Sequence, residues 1–178
     1  MNPSMRSRAT VLAPERKSMP STHKKVIVRK MDREAVQGYV NPAAFLVDGQ
    51  VAVLSPEGQV VTIGLEDIKG VYFVREFGEP ESSARKTFPT RPRTEGLWVR
   101  LKFRDNEVLE GMMTNDLAQS SPEGYLINPP DTRANTQRIF VPRGALAELQ
   151  VLGVIGGPRG RRPRTTAGDT RQESLFSE

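Results

Sequence analysis

WVRLKFRDNEVLEGMM, residues Trp98 to Met113, is the stretch from which the fold of the whole chain can be read. Strand side chains alternate between faces, so Val99, Leu101 and Phe103 share one face while Arg100, Lys102 and Arg104 share the other. Asp105-Asn106 is a turn signal, because both residue types tolerate the positive φ that a tight hairpin demands. A two-residue turn predicts that Phe103 faces Val108, Val99 faces Met112 and Arg104 faces Glu107. It also sets Glu110 opposite Leu101 on the apolar face, which suits a flat ribbon badly. Gly111 follows at once, and a glycine inside a strand marks a bend or a close backbone approach. The expectation is a second strand that bends there, as the strands of a small barrel must.

The same pattern occurs earlier in KVIVRKMDREAVQGYV, Lys25 to Val40. At an offset of 73 residues, Asp32 falls on Asp105, Glu34 on Glu107 and Gly38 on Gly111; Val26, Val28, Val36 and Val40 fall on Val99, Leu101, Leu109 and Met113. At an offset of 78, Val61 falls on Ile139, Ile63 on Val141, Ile68 on Leu146 and Val71 on Leu149. The fold class expected is therefore all-β, two duplicated small antiparallel barrels with disordered tails. Residues 25–74 form the first repeat, 75–96 a linker and 97–152 the second repeat. Residues 1–24 and 153–178 are basic tails too polar and too rich in Pro, Ser, Gly and Arg to pack a core. Within the linker, Phe77 and Phe88 are the two residues able to pin it to the surface.

Composition closes off several chemistries. The chain has no cysteine and one histidine, His23, so thiol catalysis, disulfides, thiolate metal sites and a multi-histidine site are excluded within one chain. No apolar run reaches the roughly 18 residues of a membrane helix, and the N-terminus lacks the apolar stretch of a signal peptide. The expectation is a cytoplasmic protein with no membrane partner. The net charge of +5 belongs to the tails. Residues 1–24 carry five basic residues against one acidic, and 153–178 five against three, which leaves the core at a net −1.

The strand, the Asp/Asn turn and the bent strand with Gly111 resemble the first half of the Sm-like fold, a five-stranded SH3-like barrel. Ile139-Phe140-Val141-Pro142-Arg143-Gly144 is similar to the hydrophobic-Arg-Gly signature of the second Sm motif, with Pro142 intruding before Arg143. In that family an Arg-Gly pair lines an RNA pocket together with an Asp and an Asn. The resemblance thus implies Asn115, Asp116, Arg143 and Gly144 as candidate RNA-contacting residues. The tandem arrangement also resembles an uncharacterised bacterial domain family of regulatory flavour. A weaker similarity links Arg100, Arg104, Ser121 and Gly124 to the RxxxR and SxxG motifs of PilZ domains, receptors of cyclic di-GMP. Gln119 stands where that family has Asp or Asn, and both arginines fall inside the strand. Solvent-facing strand residues are the better reading of both.

Each remaining feature has a plainer alternative. Arg159, Arg161, Arg162 and Arg164 are suited to phosphate backbone or simply to solubility. Asp32 and Asp105 occupy equivalent turn positions, which favours backbone geometry over a catalytic carboxylate pair. Trp98, Leu109 and Met113 are expected on the outer hairpin face, where they would pack one repeat on the other or on a partner. No nucleophile–base pair, phosphate loop or metal cluster is legible. The expectation is a non-catalytic binding or regulatory module without a cofactor, acting through protein contacts. An RNA-binding role is the alternative, and a homo-oligomer is compatible with either.

Overall fold

The computed structural model describes residues 22–78, 84–116, 121–131 and 133–156 of the 178. Among them there is no α-helix. Eleven strands run in chain order: β1 Lys24–Lys30, β2 Ala35–Val40, β3 Leu46–Val47, β4 Gln50–Leu54, β5 Val60–Gly64, β6 Ile68–Val74, β7 Gly96–Phe103, β8 Val108–Met113, β9 Gly124–Ile127, β10 Thr136–Pro142 and β11 Leu146–Ile155. A 3₁₀ turn, Arg143–Ala145, joins the last two. The chain is all-β and antiparallel, as the alternation predicts. Most of the expected 1–24 tail, and all of 157–178 with Arg159, Arg161, Arg162 and Arg164, lies outside the described residues.

Eight strands curl into one sheet, in the order β3-β4-β2-β1-β6-β10-β9 with β5 paired to β4. The other three form the sheet β11-β7-β8. A reciprocal backbone bridge between Met112 and Asn128, 2.9 Å in both directions, joins β8 to the residue after β9. β6 therefore lies between β1 of the first half of the chain and β10 of the second.

The 98–113 hairpin departs from its expected register by one residue. Leu101 pairs with Leu109, Arg100 with Glu110 and Trp98 with Met112. The cause is the turn. Phe103 N–H donates to the Glu107 carbonyl at 2.8 Å, which leaves Arg104, Asp105 and Asn106 in a three-residue loop with Asn106 at φ 66°. Three-residue loops of this kind end in one left-handed residue. The Lys30–Glu34 turn is built the same way, with Arg33 at φ 77°. In each, the aspartate receives the backbone N–H two residues on, Glu34 to Asp32 at 2.9 Å and Glu107 to Asp105 at 3.1 Å. The two aspartates hold turns.

The shift removes the misplaced charge. Glu110 faces Arg100 instead of Leu101, and the expected Arg104–Glu107 pair is absent, Arg104 donating to the Gly144 carbonyl at 3.0 Å. It also separates the expected outer cluster. Leu109 and Met113 turn inward onto the core with Leu97, while Trp98 stays on the opposite face.

Gly111 and Gly38 are places of close approach. A Cβ on Gly38 would lie 2.5 Å from the Leu54 carbonyl oxygen and from Val53 Cγ1; on Gly111 it would lie 3.0 Å from the Asn128 carbonyl oxygen and 3.1 Å from Ile127. Each glycine lets the next strand cross over β2 or β8. One further boundary moves. β11 runs on through Gly153, Val154 and Ile155, paired to Trp98, Leu97 and Gly96, so the expected tail begins later than residue 153.

Two apolar cores result, and they exchange residues. Phe140 of β10 is buried in the first core, edge-on to Phe45 with ring centroids 5.3 Å apart. Tyr72 and Met31 of the first half pack against the second core.

Candidate protein-interaction site

The seam between the halves is held by more than strand pairing. Lys69, 7% exposed on β6, reaches across to both Asp105 and Glu107 of the second half's hairpin turn, and its ammonium lies 5.0 Å from the centre of the Phe103 ring. Lys86 adds a second cation to Glu107 at 3.0 Å. Burial pulls Lys69 toward losing its proton, but hydrogen bonds from its ammonium to Asp105 and Glu107 overcome this and hold its pKa above the usual lysine value. The Lys69 bond holds Asp105 below the usual carboxylate range. Burial opposes ionisation of Glu107, and its two lysines outweigh that.

The pH dependence of this clamp follows from the signs. The carboxylate contribution is complete above the unfolded values near pH 4 and is lost as pH falls through the lowered folded values. The Lys69 contribution is complete below about pH 10.4 and fades as pH rises through its raised folded value. Lys69→Met is expected to cost about 1–3 kcal/mol at neutral pH, less than a fully buried pair because both carboxylates keep solvent contact. It should also flatten the acid limb. Denaturant titrations at pH 3 and pH 7 check this, and parent-like stability at pH 7 would show that the clamp contributes nothing.

Beside the clamp is a cleft of about 80 Å³ lined by Ile27, Tyr72, Leu109, Ala134 and Ile139, with Arg29 and Glu107 at its polar side. Arg29 stacks over the Tyr72 ring at 5.4 Å, and burial raises the Tyr72 pKa. Leu109, expected on the outer hairpin face, is buried in the second core and lines this cleft from that side.

Glu110 fixes the connecting segment. It is 2% exposed and receives the Arg100 guanidinium at 2.8 and 3.1 Å, the Trp98 indole N–H at 3.2 Å and the Phe88 backbone N–H at 3.0 Å. Burial works against its charge, and these donors keep its pKa below the usual range. Phe88 stacks edge-on against Trp98, and Phe77 does so against Tyr39, so both expected pins of the linker are seated on strand residues. Trp98 packs on the linker. Glu110→Ala should free it; the chain's single tryptophan then reports the change as a red-shifted emission, with faster tryptic cleavage at Lys86 and Arg93. Unchanged emission and cleavage would remove Glu110 from this role.

The residues suggested by the Sm and PilZ resemblances have structural neighbours. Arg143 opens the 3₁₀ turn with its guanidinium 4.8 Å from the Tyr125 ring centre, and the Gly144 carbonyl receives Arg104. Arg100 is engaged by Glu110. Ser121 hydrogen-bonds Glu123, and a Cβ on Gly124 would meet the Val141 carbonyl at 2.5 Å. Asn115 and Asp116 are exposed just beyond β8. Among the described residues no group of acidic or histidine side chains is arranged to hold a metal, and no helix is long and apolar enough to cross a membrane.

What sequence reasoning missed is the open edges, β5 and β11 above all. Among the described residues β5 pairs only with β4 and β11 only with β7, as the two-residue β3 does with β4 and the four-residue β9 with β10. Val60 and Val61 on β5 are 68% and 37% exposed, and Val151 and Val154 on β11 are 51% exposed. Edge strands are normally blunted by charge, proline or brevity. β11 is ten residues long with Glu148 as its one charge, and β5 has none. The signal was present in QVVTIG and LQVLGVI, which are apolar on both faces where an exposed strand should alternate.

No curated protein matches the chain, and no solved structure does either. A family model spans residues 22–153, covering every strand but the last two residues of β11. The chain thus belongs to a protein family of unknown function, DUF6982.

Proposed function

We propose that this chain is a duplicated pair of small Sm/SH3-like barrels serving as a non-catalytic protein-binding module. The duplication is supported by matching registers. Val26 pairs with Phe73 as Val99 pairs with Val151, and Val28 with Val71 as Leu101 with Leu149; both ladders carry a bulge at the corresponding end. Val53 pairs with Val61 as Ile127 pairs with Ile139. Binding is carried by one observation, the valine-rich edges of β5 and β11, which pair with no further strand among the described residues. A partner strand laid along such an edge gains main-chain hydrogen bonds, and the valines supply apolar area.

Affinity capture from native extract tests the reading, with and without nuclease. The parent should retain a protein partner after nuclease treatment, and Val60→Lys or Val151→Lys should lose it. Loss of the partner on nuclease treatment alone would favour the RNA reading through Asn115, Asp116 and Arg143. Retention by both edge variants would end the edge-binding reading.

A further inference from the structure

The segment connecting β6 to β7 carries a second surface, independent of the open edges. We propose that the groove it forms with the loop before β10 receives an extended acidic segment of a partner protein, whose carboxylates meet the arginines of the rim and whose apolar side chains lie on the floor.

The groove measures about 580 Å³, within the size range of ligand sites. Arg75, Arg85, Arg91 and Arg93 line it, all of them exposed, and no aspartate or glutamate among the described residues does. This gathering of one sign stands on a span, 25–152, whose net charge is −1. The acidic residues nearest in the chain are engaged elsewhere. Glu76 pairs with Lys25 at 2.6 Å, Glu95 lies against Gly156, and Asp131 receives the backbone N–H groups of Arg133 and Ala134 at 3.0 and 3.2 Å. Arg85, Arg91 and Arg93 have no ion-pair partner among the described residues. Like charges gathered in one groove repel, and an anionic occupant relieves that repulsion.

The arginines stand on fixed backbone. Glu110 holds the segment twice, its carboxylate on the Phe88 N–H and its own N–H on the Lys86 carbonyl at 2.7 Å. Pro92 is buried. From the other side, the Arg75 N–H donates to the Asn135 carbonyl at 3.0 Å. A partner therefore does not have to order this backbone when it binds.

The floor decides which polyanion fits. Pro92, Pro129, Pro130 and Met112 make it apolar. Phe88 is the aromatic side chain of the groove, and its ring is committed edge-on to Trp98. Single-stranded nucleic acid is held by bases stacked on open aromatic faces, which this groove does not offer. Guanidinium forks pair with carboxylates, and an extended peptide sends alternate side chains to opposite sides. Acidic residues alternating with apolar ones match rim and floor together.

Fluorescence anisotropy of a labelled peptide of alternating glutamate and leucine, titrated with the full chain, is the test. The parent should bind it, more weakly as salt rises, and should not bind the same peptide with glutamine for glutamate. Arg91→Glu combined with Arg93→Glu should weaken binding by about tenfold or more. Arg161→Glu combined with Arg162→Glu changes the net charge equally in the basic tail and should leave binding nearly unchanged. Thermal melts check that the groove variant is folded; both its positions are exposed. A parent that does not bind the acidic peptide at low salt overturns the proposal. So does equal loss in the two double variants, which would make net charge the cause. A mixed-sequence single-stranded oligonucleotide that binds more tightly than the peptide, and is lost with the groove variant, would assign the groove to nucleic acid and overturn it too. Val60→Lys and Val151→Lys should bind the peptide as the parent does; loss in either would move the peptide to the strand edges and away from the groove.

Discussion

The Gly38→Val variant is expected to lose at least about 3 kcal/mol of folding stability, the upper end of the usual cost of overpacking a core. The added Cβ alone would sit 2.5 Å from the Leu54 carbonyl oxygen, and backbone cannot move aside as a side-chain tip can. Either β4 lifts away from β2, or the chain unfolds. Gly111→Val faces the same geometry with more room, 3.0 Å to the Asn128 carbonyl oxygen, and should cost about 1–2 kcal/mol. Urea titration of the two variants side by side gives the comparison. Equal losses would show that close approach is not what separates the two sites. Parent-like melting of both would end the argument that each glycine admits a crossing strand.

A second large loss, about 3–5 kcal/mol, is expected for Phe140→Ala. The residue lies on β10 of the second half, yet its ring fills the first core against Phe45. The location of the damage is as informative as its size. Amide hydrogen exchange should accelerate in β1, β4 and β6, on the far side of the seam from the substitution, as well as in β10. Faster exchange confined to β9 and β10 would mean that the halves are separable units and that Phe140 is a local packing residue. Since typical domains are stable by about 5–15 kcal/mol, either substitution removes a large share of what holds the chain folded.

Strands and turns were legible in the sequence because their signals are local. Alternation located β1, β2, β7 and β8, and Asp48-Gly49 marked the β3–β4 turn, where both residues have positive φ. The hairpin register was misread by one residue because Asp-Asn suits a two-residue turn as well as the last two places of a three-residue loop. A better arbiter was available. A glutamate opposite Leu101 is costly, and one residue of slip turns it toward Arg100. Partners across the seam had no such signal. β6 and β10 pair across more than 60 residues, and nothing in the spelling of either strand names the other. Nothing in the local sequence singles out Lys69, whose partners are the second half's Asp105 and Glu107. Glu110 looked like an error in an apolar pattern and is the group on which Arg100, Trp98 and Phe88 converge.

Phe140 lies 67 residues after Phe73 in the chain whose first core it completes. At ribosomal rates of about 5–20 residues per second, roughly 3–13 s separate the appearance of the two. During that interval the newly made first half has a hole beside Phe45 and a bare β6. On a crowded polysome, the β10 that reaches it first can come from a neighbouring nascent chain as well as from its own. The delay built into the chain's own order leaves β6 unpaired on one side and the first core unfilled until β10 has been made.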